Sequence, residues 1–271
     1  MNQQPLIVGW YKMDFLTTNL INTTTQISLN SNTSTASNIF NRDPFYQYYS
    51  DGFNNDLTTS SITITFSDTT SVSRIALIDT NAKQFNLFYN GSTANSITLD
   101  GNGSTSTASW ASNTESNIYM RLSSTITVSS ITLDIKSTQT ADNEKRLGIF
   151  YIGDKYYTLT QIPSANNYNP RINPKQVVHT LSDGGTRIHN IRKKKSIEIN
   201  LDYISSSIRS NLETIYNLTV PFQFCPFGTT TSWDGFFFEC VWTGGFDFYE
   251  FSDNASSSGF SGKINLRETP F

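Results

Sequence analysis

The chain has 271 residues, enough for one large domain or two ordinary ones with cores of their own. Only 15% of them are charged, the formal net charge is −3 and the pI is near 5.4, so nothing overall favours nucleic acid or an anionic membrane. No apolar run approaches the ~20 residues of a membrane span. The start, MNQQPLIVGWYKMDF, lacks the basic opening and long apolar core of a signal peptide, which predicts a cytoplasmic product.

Ser, Thr and Asn take the place of the missing charges. Their side chains compete for backbone hydrogen bonds in helices, while Thr suits strands and Asn suits turns. With 19 Phe and 13 Tyr there is ample apolar surface for cores, so the composition reads as all-β rather than disordered.

Ile27 and Leu29 are the clearest strand residues of the first segment. Asp43-Pro44 and Asp51-Gly52 then bracket an aromatic cluster of Phe45, Tyr46, Tyr48 and Tyr49. Alternation marks strands at Ile62–Phe66, Val72–Ile78 and Phe85–Tyr89, with a turn predicted at Asp68-Thr-Thr-Ser and another at Asn90-Gly91. Short strands follow around Ile97–Leu99, Ile118–Leu122 and Val128–Ile135. Pro163, Pro170 and Pro174 suggest an extended connection, and the domain boundary falls near Ile152.

Residues 176–203 alternate on both sides of Asp183-Gly184-Gly185, which predicts a long hairpin or meander. Ile208, Leu212, Ile215 and Tyr216 share one helical face behind a serine N-cap at Ser205 or Ser206. Aromatic strands PFQFCPF, FFFECVW and FDFYEF lead to a closing GKINLRETPF. Cys225 and Cys240 fit no metal or redox spacing, and buried free thiols are expected ahead of a disulfide.

The run ASNIFNRDP (36–44), then Tyr49-Ser50, ITITFSDTTSVSRIAL, QFNLFYNG, ITLDI and KRLGIFYI, resembles the discoidin or galactose-binding-like jelly-roll family. Tyr49 stands where that family usually carries a tryptophan. The resemblance implies a jelly-roll β-sandwich over residues 1–155 and a ligand loop at one end, formed by Arg42, Phe45, Tyr46, Gln47, Tyr48, Tyr49 and Asp51. Rings there would stack on a sugar face while polar neighbours take the hydroxyls. Packing against a second unit or a neighbouring subunit is weighed ahead of that.

Residues 156–271 are similar to minor or distal tail proteins of bacteriophages. The Ser182-Asp-Gly-Gly185 hairpin, the basic strand from Arg192 to Lys195, the helix with Leu212 and Ile215, and the closing Ile264-Asn-Leu-Arg-Glu-Thr-Pro run carry this resemblance. It implies a tail-tube-like β-barrel domain with one short helix, assembled with copies of itself into a ring of the virion tail or baseplate. Arg192, Lys193, Lys194 and Lys195, read as a solvated hairpin loop, would make subunit contacts. Implied partners are sister copies, other tail proteins and, in the alternative reading of a host-recognition adhesin, surface glycan. Nucleic acid would enter only as genome passing through a tail channel.

No serine elbow, zinc-binding His motif, Walker loop or Cys/His array is present, so no enzyme, cofactor or metal is expected. His179 and His189 lie symmetrically about Gly184 but lack a third ligand. Asp247 and Glu250 are a remote glycosidase pair, read first as a solvated strand end.

Overall fold

The structure, a computed structural model, describes residues 13–16, 19–22, 25–41, 46–51, 56–101, 104–160, 168–180, 185–226, 237–252 and 258–269. Two compact units divide the chain: residues 1–160 with 225–237 and 271, and residues 161–224 with 238–270. Both are β-rich, as the composition requires.

In the first unit, β1 (Met13–Leu16) and β2 (Gln26–Leu29) precede a 3-10 helix (Thr33–Phe40) and β3 (Tyr48–Tyr49). Then come β4 (Ser60–Ile78), β5 (Ala82–Tyr89), β6 (Ser92–Ser96), β7 (Thr98–Gly101), β8 (Ser104–Thr107) and β9 (Ser109–Trp110). β10 (Ile118–Thr138), β11 (Arg146–Leu147), β12 (Ile149–Gly153) and β13 (Lys155–Leu159) complete it.

β4 and β10 are the axis, antiparallel to each other along most of their lengths. One end of this ladder adds β2 on β4 and β5 on β10; the other adds β12 on β4 and β7 on β10. Register shifts between Arg121 and Ile126 and between Val128 and Ser130 interrupt the ladder midway, as bulges that bend a strand do. Ile62, Ile64, Ile131 and Leu133 from one half share a single buried cluster with Val72, Ile75, Leu77, Ile118 and Met120 from the other. The halves of one bent ladder therefore enclose one core, which is a β-sandwich.

The bend explains two differences from the sequence expectation. Asp68–Ser71 is no turn but the largely exposed middle of β4, where Thr70 and Ser71 still pair with Val128 and Thr127. The two short strands at 118–122 and 128–135 are likewise one strand, β10. Threonine and serine tolerate extended backbone, and pairing across the ladder holds them there. The Asn90-Gly91 turn is present, with φ of 51° and 67°, the left-handed pair that a two-residue hairpin uses.

The second unit holds β14 (Tyr168–Thr180), β15 (Thr186–Ile204), α1 (Ser206–Tyr216), β16 (Phe222–Cys225), β17 (Phe238–Trp242), β18 (Phe248–Ser252) and β19 (Ser258–Glu268). The strand order is β16-β17-β19-β15-β14, with β18 also on β19. Among the described residues β14 is an edge, so the sheet is open where a closed barrel was expected. Pro170 and Pro174 lie within β14 rather than in a connection, and proline has no N–H for a further strand. Ile197, Ile199, Leu201, Ile264 and Leu266 are buried with Leu212 and Ile215 of α1. Around α1 the rings of Tyr216, Trp242, Phe246 and Phe248 form a chain of contacts, and the Arg209 guanidinium lies 5.4 Å from the Phe246 ring centre.

Ser205 caps α1, its Oγ accepting from the Ile208 N–H at 3.3 Å. Ser205→Ala should cost about 1 kcal/mol, a fall of about 2–4 °C in thermal midpoint. An unchanged midpoint in a calorimetric scan would show that the hydroxyl caps nothing.

Candidate functional site

Of the expected ligand loop, Arg42 and Phe45 lie outside the described residues. The other members separate by burial. Tyr48 is a core residue: its ring belongs to the sandwich cluster and its hydroxyl lies 2.5 Å from Ser60 Oγ. Burial pushes its phenol up, against the hydrogen bonds of Ser60 and Ser31. Alternation along β3 is the reason Tyr48 faces inward while Tyr49 faces out. Asp51 is exposed, and its backbone N–H and carbonyl are both bonded to Ser31 Oγ.

Tyr46 and Tyr49 are 55% and 39% exposed. Between them Gln47 is nearly buried and engaged at both ends: its Oε1 accepts from the Tyr49 hydroxyl at 2.9 Å, and its Nε2 donates to Asp79 Oδ2. The other oxygen of Asp79 accepts from Arg146 Nη2 at 2.9 Å. Arg146 is cross-strand partner to Tyr49, since β11 pairs with β3. Asp79 has a left-handed φ of 53°, and its N–H is held by Asn117 Oδ1 at 2.9 Å. The result is a surface ring whose tilt is set by an amide, a carboxylate and a guanidinium already in place. Such a site loses little side-chain freedom on binding.

Asp79 and Arg146 escaped the sequence reading. The one local signal was Asp79-Thr-Asn81 behind a buried strand, a turn composition in which Asp tolerates left-handed backbone. Nothing local ties it to Gln47.

The basic run is corrected in kind. Positions 192–195 are mid-strand in β15, not a hairpin loop, and pair with residues 172–175 of β14. The side chains of Arg192 and Lys193 lie outside the described residues. Lys195 is anchored inside the unit: its N–H donates to Glu268 Oε2 at 2.7 Å and its ammonium lies 5.8 Å from the Phe238 ring centre. Lys194 is half-buried. His179 pairs with Arg187 and His189 with Val177, so the two histidines are not opposite each other. Thr180 pairs with Thr186, and residues 181–184 of the expected Asp-Gly-Gly turn lie outside the described residues. Among the described residues no cluster of three metal-ligating side chains exists. Asp247 precedes β18 and Glu250 lies within it, and both are exposed.

A second polar constellation lies inside the first unit. Asp14 of β1 is fully buried and accepts from Arg74 Nε and the Tyr119 hydroxyl, both at 2.7 Å, and from Thr158 Oγ1 at 2.5 Å. Burial alone would push its carboxyl up; the Arg74 charge and these donors outweigh that and hold it below the usual range. Tyr119, pushed well up by burial and then by the Asp14 charge, stays protonated as a donor. With every oxygen committed and no access to solvent, this group is structural. Cys225 and Cys240 are both buried and reduced, and burial pushes the Cys240 thiol well up.

No family model and no curated protein matches the chain. Among solved structures it is similar to CpGH89CBM32-6 of Clostridium perfringens, at 16% identity and TM-score 0.36, covering 49% of this chain and 97% of that one. The family 32 CBM from C. perfringens NanJ in complex with galactose is similar at 13% identity and TM-score 0.35, covering 47% and 92%. Chitosan-binding module 2 of a Paenibacillus sp. IK-5 chitosanase/glucanase, in complex with chitotriose, is similar at 12% identity and TM-score 0.37, covering 48% and 95%.

Proposed function

We propose that the chain is a carbohydrate-binding protein that grips surface glycan through its first unit, without catalysing its breakdown. One observation carries this: the exposed Tyr46 and Tyr49 rings flank a fixed Gln47–Asp79–Arg146 network. A tyrosine face accepts the C–H groups of a pyranose, and the neighbouring amide, carboxylate and guanidinium offer both acceptors and donors to its hydroxyls. The carboxylate of this network, Asp79, is already held by Gln47 and Arg146, which favours binding as its chemistry.

Galactose and chitotriose are suitable first probes within a wider glycan array. Tyr49→Ala should weaken binding about two- to tenfold, since a stacked ring contributes about 0.5–1.5 kcal/mol and its loss also frees Gln47. Tyr46→Ala should weaken it less. Undiminished binding by the double variant in titration calorimetry would end this reading for the loop.

A second reading, a ring-forming subunit of a phage tail or baseplate, draws on a different observation. Residues 186–195 of β15 pair with β14 alone among the described residues, and edge residues Ile172 and Val178 are exposed. Sister copies would cover such an edge. A single monomeric species at 50 µM, a concentration of order typical for sedimentation work and well above the micromolar affinities of weak complexes, would count against it.

A further inference from the structure

The polar face of β15, β19 and β18 carries an open cleft of about 500 Å³, lined by Asn200, Asp202, Asp247, Tyr249, Ser261 and Lys263. Register explains why they meet. Asn200 is cross-strand partner to Lys263, and Ser261 to Tyr249, so the three strands present these side chains in adjoining rows. The opposite face of the same strands is the buried one, with Ile199, Leu201 and Ile264. A shift of register between Leu201 and Ile204 breaks the ladder beside Asp202, the kind of bulge that re-aims a side chain. Between Ser261 and Lys263, Gly262 belongs to the other face, where a Cβ would lie 2.5 Å from both the Asp247 carbonyl oxygen and the Phe248 ring.

Tyr249 is 74% exposed, one of the most exposed large rings described, and it stands over this cleft rather than packing into the unit. We infer that the second unit has a saccharide-binding cleft of its own, in which Tyr249 stacks on a pyranose while Asp202, Asp247, Asn200 and Lys263 bond its hydroxyls. Two carboxylates against one ammonium leave the lining net negative, so the ligand is an uncharged or amine-bearing sugar and not a uronate, sialoside or sulfated glycan. Carboxylates accept two hydroxyls at once, the amide both donates and accepts, and the flat ring sets the pyranose plane. The residues belong to a different unit from Tyr46 and Tyr49, so this cleft stands or falls separately from the first site.

The test uses the full chain with Tyr46 and Tyr49 both changed to alanine, which silences the first site. Maltotriose, chitotriose and trigalacturonic acid are titrated by saturation-transfer NMR and calorimetry. Binding of maltotriose or chitotriose but not of trigalacturonic acid, weakened at least tenfold by adding Tyr249→Ala, is the expected result. Tyr249 is exposed, so its removal should leave the melting curve in place, and Asp247→Asn gives an independent second variant. Three outcomes overturn the inference: no binding of either uncharged or amino trisaccharide, binding indifferent to both cleft variants, or preference for the uronate. Loss of all binding with the first-site change alone would confine sugar recognition to the first unit.

Discussion

Asp14→Asn is expected to destabilise the first unit by about 3–5 kcal/mol, the cost of breaking a buried ion pair by removing one partner. The thermal midpoint should fall by about 10 °C. The Arg74 side chain is only 2% exposed, and its Nε meets Asp14 Oδ2 at 2.7 Å. An amide in place of the carboxylate leaves that guanidinium charged inside the core. Tyr119 and Thr158 lose their charged acceptor at the same time. Replacing both partners, Asp14→Leu with Arg74→Met, should recover most of the loss, because the desolvation cost of both charges disappears. A midpoint within 1 °C of wild type for the single variant, a shift worth well under 1 kcal/mol, would show that the pair anchors nothing.

Acid unfolding reads the same pair independently. The folded pKa of Asp14 lies below its ordinary value of 3.8. Its contribution is therefore whole above the unfolded value and is lost as pH falls from about 4 through the folded pKa. Stability of the wild-type chain should drop more steeply over that window than stability of Asp14→Asn. Parallel curves would mean that the carboxyl is not held ionised by its neighbours.

Leu133→Ala is the second large effect, about 2–5 kcal/mol. Leu133 is fully buried in the second half of β10, opposite Ile62 of β4 on one side and Leu87 of β5 on the other, both buried as well. Three strands converge there, so the wall cannot collapse cheaply into the space left. On the other face, Thr63 and Thr132 pair hydroxyl to hydroxyl at 3.1 Å, and Thr63→Ala should cost about 0.5 kcal/mol. Equal midpoint shifts for the two variants would mean that the inward and outward faces are misassigned, since a one-residue slip exchanges them.

These contrasts show how much could be read along the chain. Alternation identified the inward faces of β4, β5 and β10, Asn90-Gly91 its hairpin, and Ser205 the start of α1, because each depends on residues a few positions apart. Tyr48 and Tyr49 were legible as an aromatic pair but not as one core ring and one surface ring. Charges inside apolar runs, Asp14 in MDFL and Arg74 in VSRIAL, were visible without their purpose.

What the linear order of residues dictated is the class of structure: strands, their buried faces and their turns, all products of local backbone preference and the two-residue pleat. The tertiary structure decided which strand lies beside which, and so which distant side chains meet. Gln47 finds Asp79 across 32 positions, Asp79 finds Arg146 across 67, and Asp14 finds Thr158 across 144. Periodicity tells a strand which side to bury but not against what, because antiparallel partners are chosen by the packing of the whole core. Both proposed binding surfaces arise from that choice, one where β3 meets β11 and the other where β15, β19 and β18 lie side by side.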